Sequence, residues 1–123
     1  MADLGRETVQ LQWQATGAML SDRDVAVWCA YTGQKQEELQ AWGWLKALHP
    51  DDQKQVAHLW SQCLERGRFF ETSCRILHTD DHFYTFHVKW VPVMNGEKHI
   101  ETWVSWFTPY TDASQLSDQS ALY

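Results

Sequence analysis

Basic side chains are scarce in this sequence. The 123 residues include ten lysines and arginines against sixteen aspartates and glutamates, which gives a net charge of −6 at pH 7. A surface that binds nucleic acid or an anionic membrane needs clustered positive charge to meet the phosphates. We therefore expect neither nucleic acid nor a membrane to be a partner of this chain.

Cysteine is also scarce, and the sequence has no long apolar run. Cys29, Cys63 and Cys74 form no CxxC pair and leave an odd thiol, which opposes a disulfide framework and a cysteine zinc site. No apolar stretch approaches the ~20 residues of a membrane span, and the first residues lack the pattern of a signal peptide. These features predict one globular domain located in the cytoplasm.

The sequence contains none of the short motifs that carry catalysis. A glycine-rich phosphate loop, GxSxG and HExxH are all missing. His49, Asp51 and Asp52 are better interpreted as the start of a helix, because a proline followed by two aspartates favours that position. We predict no catalytic residue and no enzyme activity.

Four histidines near the predicted strands raise the question of a metal site. Neutral imidazole is a common metal ligand, and the four are His78, His82, His87 and His99. Side chains alternate between the two faces of a strand, so His82 and His87 are expected to point to opposite faces. We therefore predict no metal site.

Tryptophan, in contrast, is abundant. Eight residues are tryptophan, at positions 13, 28, 42, 44, 60, 90, 103 and 106. Large rings commonly fill the core of a small domain. The same rings could instead line an aromatic cavity for a planar ligand. Both interpretations stay open on the sequence alone.

The spacing of apolar residues predicts a hairpin, several helices and three strands. Residues 8–19 alternate weakly and suit a first hairpin, and Asp24 can cap a helix over residues 25–31. An apolar stripe predicts a longer helix from Asp51 or Asp52 to about residue 66. Strands over residues 69–79, 82–94 and 98–111 follow, with turns at residues 80–81 and 95–96.

A block over residues 31–52 joins these elements in a fixed order. Gly33 can end a helix, and Glu37-Glu38-Leu39 then opens a helical turn. Trp44 anchors the next short segment. In His49-Pro50-Asp51-Asp52 the proline disfavours helix at His49, and an aspartate side chain can cap the long helix that follows. Each piece has a local physical role, and the order of the pieces is more specific than any one of them.

This block resembles the middle of a PAS domain of the sensor-kinase type, with the PAS/PAC fold. Further similarity follows in order at Gly67-Arg68-Phe69-Phe70-Glu71, Trp90-Val91-Pro92-Val93 and Asn95-Gly96-Glu97-Lys98. The resemblance covers residues 13–111. One departure is Pro109-Tyr110-Thr111, which stands where that family often has Asp-Ile-Thr.

The resemblance implies an α+β fold, in which a five-stranded antiparallel sheet carries short helices and one longer helix on one face. It implies a lead segment at residues 1–12, a PAS domain at 13–111 and a polar tail or linker at 112–123. It further implies a sensor in signal transduction, as in two-component systems, that relays to an output domain such as a histidine kinase or cyclase.

The residues argue against two cofactors that PAS relatives carry. Relatives that form a covalent flavin adduct place a cysteine in a region where residues 40–45 of this chain contain none. Haem-binding relatives place an axial histidine on the long helix, but His58 lies out of phase with the stripe that contains Val56 and Trp60. Covalent flavin chemistry is not expected, while loosely held flavin and haem stay as alternatives.

The resemblance places a small-molecule ligand between the long helix and the sheet. An ordinary core is the alternative role of the residues expected to line that pocket. These residues are Trp28, Tyr31, Val56, Trp60, Cys74, Ile76, Phe86 and Trp106.

The predicted strands are apolar on both faces, so the second face also needs a cover. An exposed apolar patch on a globular domain usually marks an interface. We assign Phe83, Val91, Trp103 and Phe107 to this face. A second subunit or the N-terminal segment could cover it, and we expect a homodimer. Two functions therefore stay open: a ligand-sensing PAS domain, and a ligand-free PAS module for dimerisation or protein docking.

Overall fold

The structure is a computed structural model that describes residues 3–110. Its elements confirm the predicted order of helices followed by three strands, and a single strand precedes them where a hairpin was predicted. In chain order they are strand β1 (Val9–Gln14), helix α1 (Asp22–Thr32), two 3-10 turns (Gln36–Leu39 and Gly43–Ala47), helix α2 (Pro50–Arg66), and strands β2 (Phe70–Leu77), β3 (Phe83–Met94) and β4 (Ile100–Pro109).

The four strands form one antiparallel sheet in the order β1-β4-β3-β2. The first and last strands of the chain are therefore neighbours, and they pair from Val9 opposite Phe107 to Gln14 opposite Thr102. The predicted fifth strand is wrong for residues 3–110. The second arm of the first hairpin is reduced to a single bridge between Trp13 and Met19.

The second arm ends early because helix α1 begins directly after it. The Leu20 amide donates to the Gln12 carbonyl at 3.1 Å, and the chain then turns into the helix at Ser21. The amide of Gln12 faces the same open edge and donates to the Asp24 carboxylate at 2.7 Å. A side chain of α1 thus replaces the backbone partner that a longer strand would supply.

Helix α1 begins one turn before the predicted start. The Ser21 hydroxyl caps it by accepting a hydrogen bond from the Asp24 amide at 3.1 Å, so the prediction that Asp24 is the cap is wrong. Its other end is as predicted. Gly33 takes a left-handed conformation with φ of 79°, which a residue without a Cβ adopts at little cost.

Helix α2 is capped by a histidine. The His49 Nδ1 atom accepts a hydrogen bond from the Asp51 amide at 3.1 Å, and Pro50 occupies the first helical position. The predicted cap by Asp51 or Asp52 is therefore wrong. Gly67 ends the helix in a left-handed conformation, as predicted.

The core lies between one face of the sheet and the helices. Alternate residues of β3 and β4 are buried on this face, in particular Phe86, Val88, Trp90, Trp103, Ser105 and Phe107. Before β1, Leu4 is also buried. None of the helices within residues 3–110 is long and apolar enough to cross a membrane. The predicted tail at 112–123 lies outside the described residues.

Candidate functional site

Tryptophan rings fill the interior between helix α2 and the sheet. Six of the eight tryptophans are fully buried, and we call them the tryptophan core: Trp13, Trp28, Trp44, Trp60, Trp90 and Trp103. Neighbouring rings lie within direct contact, with centroid separations from 4.8 Å for Trp60 and Trp103 to 6.4 Å for Trp13 and Trp60. These are separations at which aromatic pairs attract one another beyond simple burial.

Half of these indoles have hydrogen-bond acceptors. Trp13 donates to the Ser105 hydroxyl at 2.7 Å, Trp28 to the Gln34 side chain at 2.7 Å and Trp44 to the Gly17 carbonyl at 3.3 Å. The other three, Trp60, Trp90 and Trp103, bury their N–H groups without a partner among the described residues. A buried donor without an acceptor costs free energy. A small molecule that brought an acceptor atom to these three N–H groups would therefore gain hydrogen bonds from them.

A tight turn after β1 covers one end of the tryptophan core. The Trp44 indole donates to the Gly17 carbonyl and the Trp42 indole to the Thr16 carbonyl, each at 3.3 Å. Gly17 has φ of +100°, and a Cβ there would lie 2.8 Å from Nε1 of Trp60. The turn therefore needs glycine both for its backbone conformation and for this close approach.

Seven of the eight residues predicted to line a pocket are buried in this same core. They are Trp28, Tyr31, Val56, Trp60, Cys74, Ile76 and Phe86. Several contact one another or the tryptophan core through their rings. Trp60 contacts Trp90 at 5.4 Å between centroids, and Tyr31 meets Phe86 edge-on at 5.6 Å.

The eighth residue, Trp106, lies on the opposite face of the sheet and is 36% exposed. Trp103 and Phe107, which were assigned to the outer face, are fully buried instead. The predicted faces of β4 are therefore exchanged. The strand register explains this, because Trp103 lies opposite the buried Trp13, whereas Trp106 lies between Gln10 and Lys89.

We call the apolar centre of the exposed sheet surface the outer face, and define it as Val91, Val93, Val104 and Trp106. Two of these residues, Val93 and Trp106, are exposed, and the other two are half-buried. Charges of both signs border the patch. Glu71 accepts from His87 Nε2 at 3.1 Å and lies 3.7 Å from the Lys89 ammonium. Phe83 lies apart from it, against the His49 ring at 4.8 Å.

Asp52 and His49, which the sequence offered as possible catalytic groups, both make contacts that stabilise the fold. The Asp52 carboxylate accepts from the Arg75 amide at 2.8 Å and from its guanidinium Nε and Nη2 at 3.0 Å and 2.9 Å. These hydrogen bonds to Arg75 lower the pKa of Asp52. Asp52 therefore joins α2 to β2, and His49 caps α2.

The thiols and histidines of this region do not suit the cofactors considered. Burial raises the pKa of the Cys74 thiol to about 12, which keeps it protonated and unreactive. His58 is exposed, on the side of α2 away from Val56 and Trp60, so it does not fit an axial haem ligand in the interior. Within residues 3–110, no three His, Cys, Asp or Glu side chains converge as a metal site would require.

Sequence reasoning missed a group of polar and aromatic residues at the turn between β2 and β3. The Asp80 carboxylate accepts from the Tyr84 hydroxyl at 2.6 Å, and the His78 ring contacts Tyr31 at 4.5 Å. The alternation of histidine, aspartate and tyrosine over residues 78–84 was the available signal. It does not indicate that Tyr31, from α1, joins the group.

Comparisons with known proteins agree on the fold. The family described as PAS fold matches residues 26–107, which is more than half of the chain. No curated protein matches. Among solved structures, the N-terminal domain of a diguanylate cyclase with PAS/PAC sensor from Marinobacter aquaeolei is 17% identical with a TM-score of 0.65, covering 85% of this chain and 96% of that one.

Two structures from histidine kinases are also similar to this chain in fold. A sensory box histidine kinase/response regulator from Burkholderia thailandensis is 22% identical, with a TM-score of 0.59 and coverage of 94% of this chain and 84% of that chain. A domain of a putative light and redox sensing histidine kinase from Haloarcula marismortui is 15% identical, with a TM-score of 0.65 and coverage of 85% and 90%. At these identities the likeness concerns the fold.

Proposed function

Because the chain belongs to the PAS family of sensory signal-transduction domains, we propose that it works by pairing with a second copy of itself through the outer face. Its interior serves as a rigid packed core in this proposal. The single observation that carries it is the tryptophan core, because six fully buried rings occupy the space between α2 and the sheet. A module built in this way presents its surface, rather than a cavity, to its partner.

The composition of the outer face supports a second copy as the occupant. A two-fold interface places the same patch on both sides, so it must be complementary to itself. Val91, Val104 and Trp106 supply the apolar centre, and Glu71 and Lys89 lie side by side at its border. A rotated copy can then set each charge opposite its counterpart, with the apolar centres in contact.

The proposal extends to an output domain and a compartment. Structures with this fold come from a diguanylate cyclase and from histidine kinases, which supports attachment to a signalling enzyme in the parent protein. Pairing of two PAS domains would then bring two output domains together. The free thiols Cys29, Cys63 and Cys74 favour a reducing compartment, which supports the cytoplasm.

A second candidate function rests on the unpartnered indoles. Trp60, Trp90 and Trp103 direct three buried N–H groups into the interior without acceptors among the described residues. A small ligand with hydrogen-bond acceptors would satisfy them, which favours a sensor with a ligand held inside the core. This ligand would have to displace or separate rings that are now in contact.

Sedimentation equilibrium of the full chain over a wide concentration range tests the pairing. We expect a reversible dimer for the wild type and a monomer for Val104→Glu, which places a charge at the centre of the outer face. His58→Glu is the matched control, because His58 is exposed on α2, which packs on the other side of the sheet. Circular dichroism checks that each variant is folded.

Two outcomes would contradict the proposal. A wild type that stays monomeric at all concentrations removes the second copy as the occupant. A dimer that His58→Glu disrupts as strongly as Val104→Glu shows that pairing does not use the outer face. Mass spectrometry of the denatured protein tests the second candidate function. A stoichiometric small molecule released from the wild type would favour a sensor that holds a ligand in the core.

A further inference from the structure

Three aromatic rings from distant parts of the chain form a box beside the turn between β2 and β3. Tyr31 comes from the end of α1, and His78 and Tyr84 flank the turn. Adjacent rings stand at steep angles: Tyr31 and His78 are 4.5 Å apart at 68°, and His78 and Tyr84 are 5.8 Å apart at 89°. We call these three residues, together with Asp80, the aromatic cage.

The cage borders an open cavity of about 230 Å³, which Gly5 and Pro109 also line. This volume lies below the ~300–1,000 Å³ of pockets that hold drug-sized ligands, so the cavity suits a group of only a few heavy atoms. Gly5 packs closely on the cage, since a Cβ there would lie 2.9 Å from Cε1 of Tyr31. Three tyrosine side chains, of Tyr31, Tyr84 and Tyr110, thus line the cavity.

Asp80 supplies a negative charge at the cage. Hydrogen bonds, first from the Tyr84 hydroxyl and then from the His82 amide, lower the pKa of Asp80 to about 2, so this carboxylate is ionised at neutral pH. Its hydrogen bond raises the pKa of Tyr84, and burial raises that of Tyr31, so both phenols stay neutral. No lysine or arginine is among the described residues that line the cavity.

Backbone hydrogen bonds hold the cage in this arrangement. The Thr79 amide donates to the Tyr31 carbonyl at 3.1 Å, which ties the turn to the end of α1. The His78 amide donates to the His82 carbonyl at 2.9 Å, and the Asp80 amide donates to Nδ1 of His78 at 3.1 Å. A site whose walls are already fixed loses little conformational entropy when a ligand binds.

We propose that the aromatic cage binds a methylated ammonium group. The faces of aromatic rings attract a cation that lies within about 6 Å of their centroids, and a neighbouring carboxylate adds a full opposite charge. A metal ion is disfavoured, because the cage offers one carboxylate that is already shared with Tyr84 and His82. A primary ammonium has three N–H donors to satisfy, whereas a methylated one presents apolar methyl groups that match these walls.

Titration of the isotope-labelled full chain with choline, followed by two-dimensional NMR, tests this proposal. Choline has a neutral isostere, 3,3-dimethylbutan-1-ol, with the same shape and no charge. We expect saturable shifts of the amides at Tyr31 and residues 78–84 with choline, and binding of the isostere at least about tenfold weaker. Equal binding of the two compounds, or shifts scattered away from the cage, would overturn the proposal.

Three variants test the individual walls. Tyr84→Leu removes a ring and Asp80→Asn removes the charge, and each is expected to weaken choline binding about tenfold. Tyr84→Phe keeps the ring and is expected to bind within a few fold of the wild type. Trp106→Leu is the matched control, because it removes an exposed aromatic ring outside the cage. Unchanged binding in Tyr84→Leu, checked to be folded by its NMR spectrum, would refute the assignment.

A peptide that contains trimethyl-lysine distinguishes the two sources of such a group. Tighter binding of the peptide than of choline supports the proposal with a protein side chain as the ligand, and tighter binding of choline supports it with a free metabolite. Peptide and choline that both fail to bind would overturn it. The cage variants lie outside the outer face, so this test is independent of the one that uses Val104→Glu.

Discussion

Truncation of Trp60 to alanine tests whether the interior is a filled core. Trp60 is fully buried on α2 and contacts Trp90 and Trp103 at 5.4 Å and 4.8 Å between centroids. Its indole N–H has no acceptor within residues 3–110, so the substitution removes packing and none of the hydrogen bonds found there. We expect a loss of about 3–5 kcal/mol in the free energy of unfolding, as for other large aromatic rings in cores.

Urea denaturation followed by circular dichroism measures this loss, and Trp106→Ala is the matched control. Trp106 is 36% exposed on the outer face, so its truncation leaves no enclosed cavity and, measured at concentrations where the chain is monomeric, should cost clearly less than that of Trp60, about 1–2 kcal/mol. The cavity in Trp60→Ala should accept free indole, and indole at 100 times its Kd would restore about 2.7 kcal/mol. A loss in Trp60→Ala no larger than in Trp106→Ala, with no effect of indole, would refute the packed interior.

Three further substitutions test single contacts by the same measurement of unfolding free energy. Ser105→Ala leaves the Trp13 indole without its acceptor and should cost about 1–3 kcal/mol, whereas a cost as small as that of the exposed Ser73→Ala would contradict this reading. Asp52→Asn should cost about 1–3 kcal/mol at pH 7, because Asp52 is largely buried while Arg75 is partly exposed. A carboxyl group with a lowered pKa stabilises the fold above its ordinary pKa and loses that effect as pH falls through the lowered one. The difference from wild type should therefore begin to shrink only as pH falls below about 4 and should disappear once pH is below the lowered pKa, and a difference that stayed constant over this range would contradict the charge-based account. Gly17→Ala should cost about 1–3 kcal/mol, since the Cβ would meet Trp60 at a positive φ, and a stabilised variant would show that the turn relaxes freely.

The ends of both long helices could be predicted from the sequence, but their starts could not. Gly33 and Gly67 end α1 and α2 because few other residues adopt a left-handed conformation cheaply. Several polar residues precede each helix and any of them can act as a cap. The structure selects Ser21 and His49, since Asp24 and Asp52 are used by β1 and β2 instead.

The number of strands could not be predicted because it depends on a contact between distant residues. The alternation over residues 8–19 suits a full hairpin, and it contains no sign that a carboxylate from the next helix will take the free edge. Only when the Asp24 carboxylate meets the Gln12 amide does the second arm become unnecessary. Local pattern predicts the first strand well and its partner poorly.

The face of Trp106, in contrast, could have been predicted correctly. A two-residue turn at Asn95 and Gly96 pairs even-numbered residues of β3 with odd-numbered residues of β4, and paired residues share a face. Since Phe86 is buried, Trp103 is then buried and Trp106 is not. The real turn is longer, but the register shift between residues 93 and 94 leaves the same parity along the rest of the pair.

The aromatic cage shows a different limit of sequence reasoning. Tyr31 and Tyr84 belong to separate elements, and the hydrogen bond from the Thr79 amide to the Tyr31 carbonyl brings them together. Residue types over 78–84 hint at chemistry but do not define a cavity. Sites assembled from distant residues need the three-dimensional arrangement, whereas the apolar stripe of a helix does not.

The close packing of six indoles also gives the protein an optical property. Rings with centroids 4.8–6.4 Å apart share electronic excitation, so their absorption, dichroism and emission belong to the group rather than to single residues. A displacement of one ring would alter the spectrum of all of them. Any signal that reaches the interior, whether from a partner on the outer face or from a ligand, should therefore be visible by near-ultraviolet dichroism without an added dye.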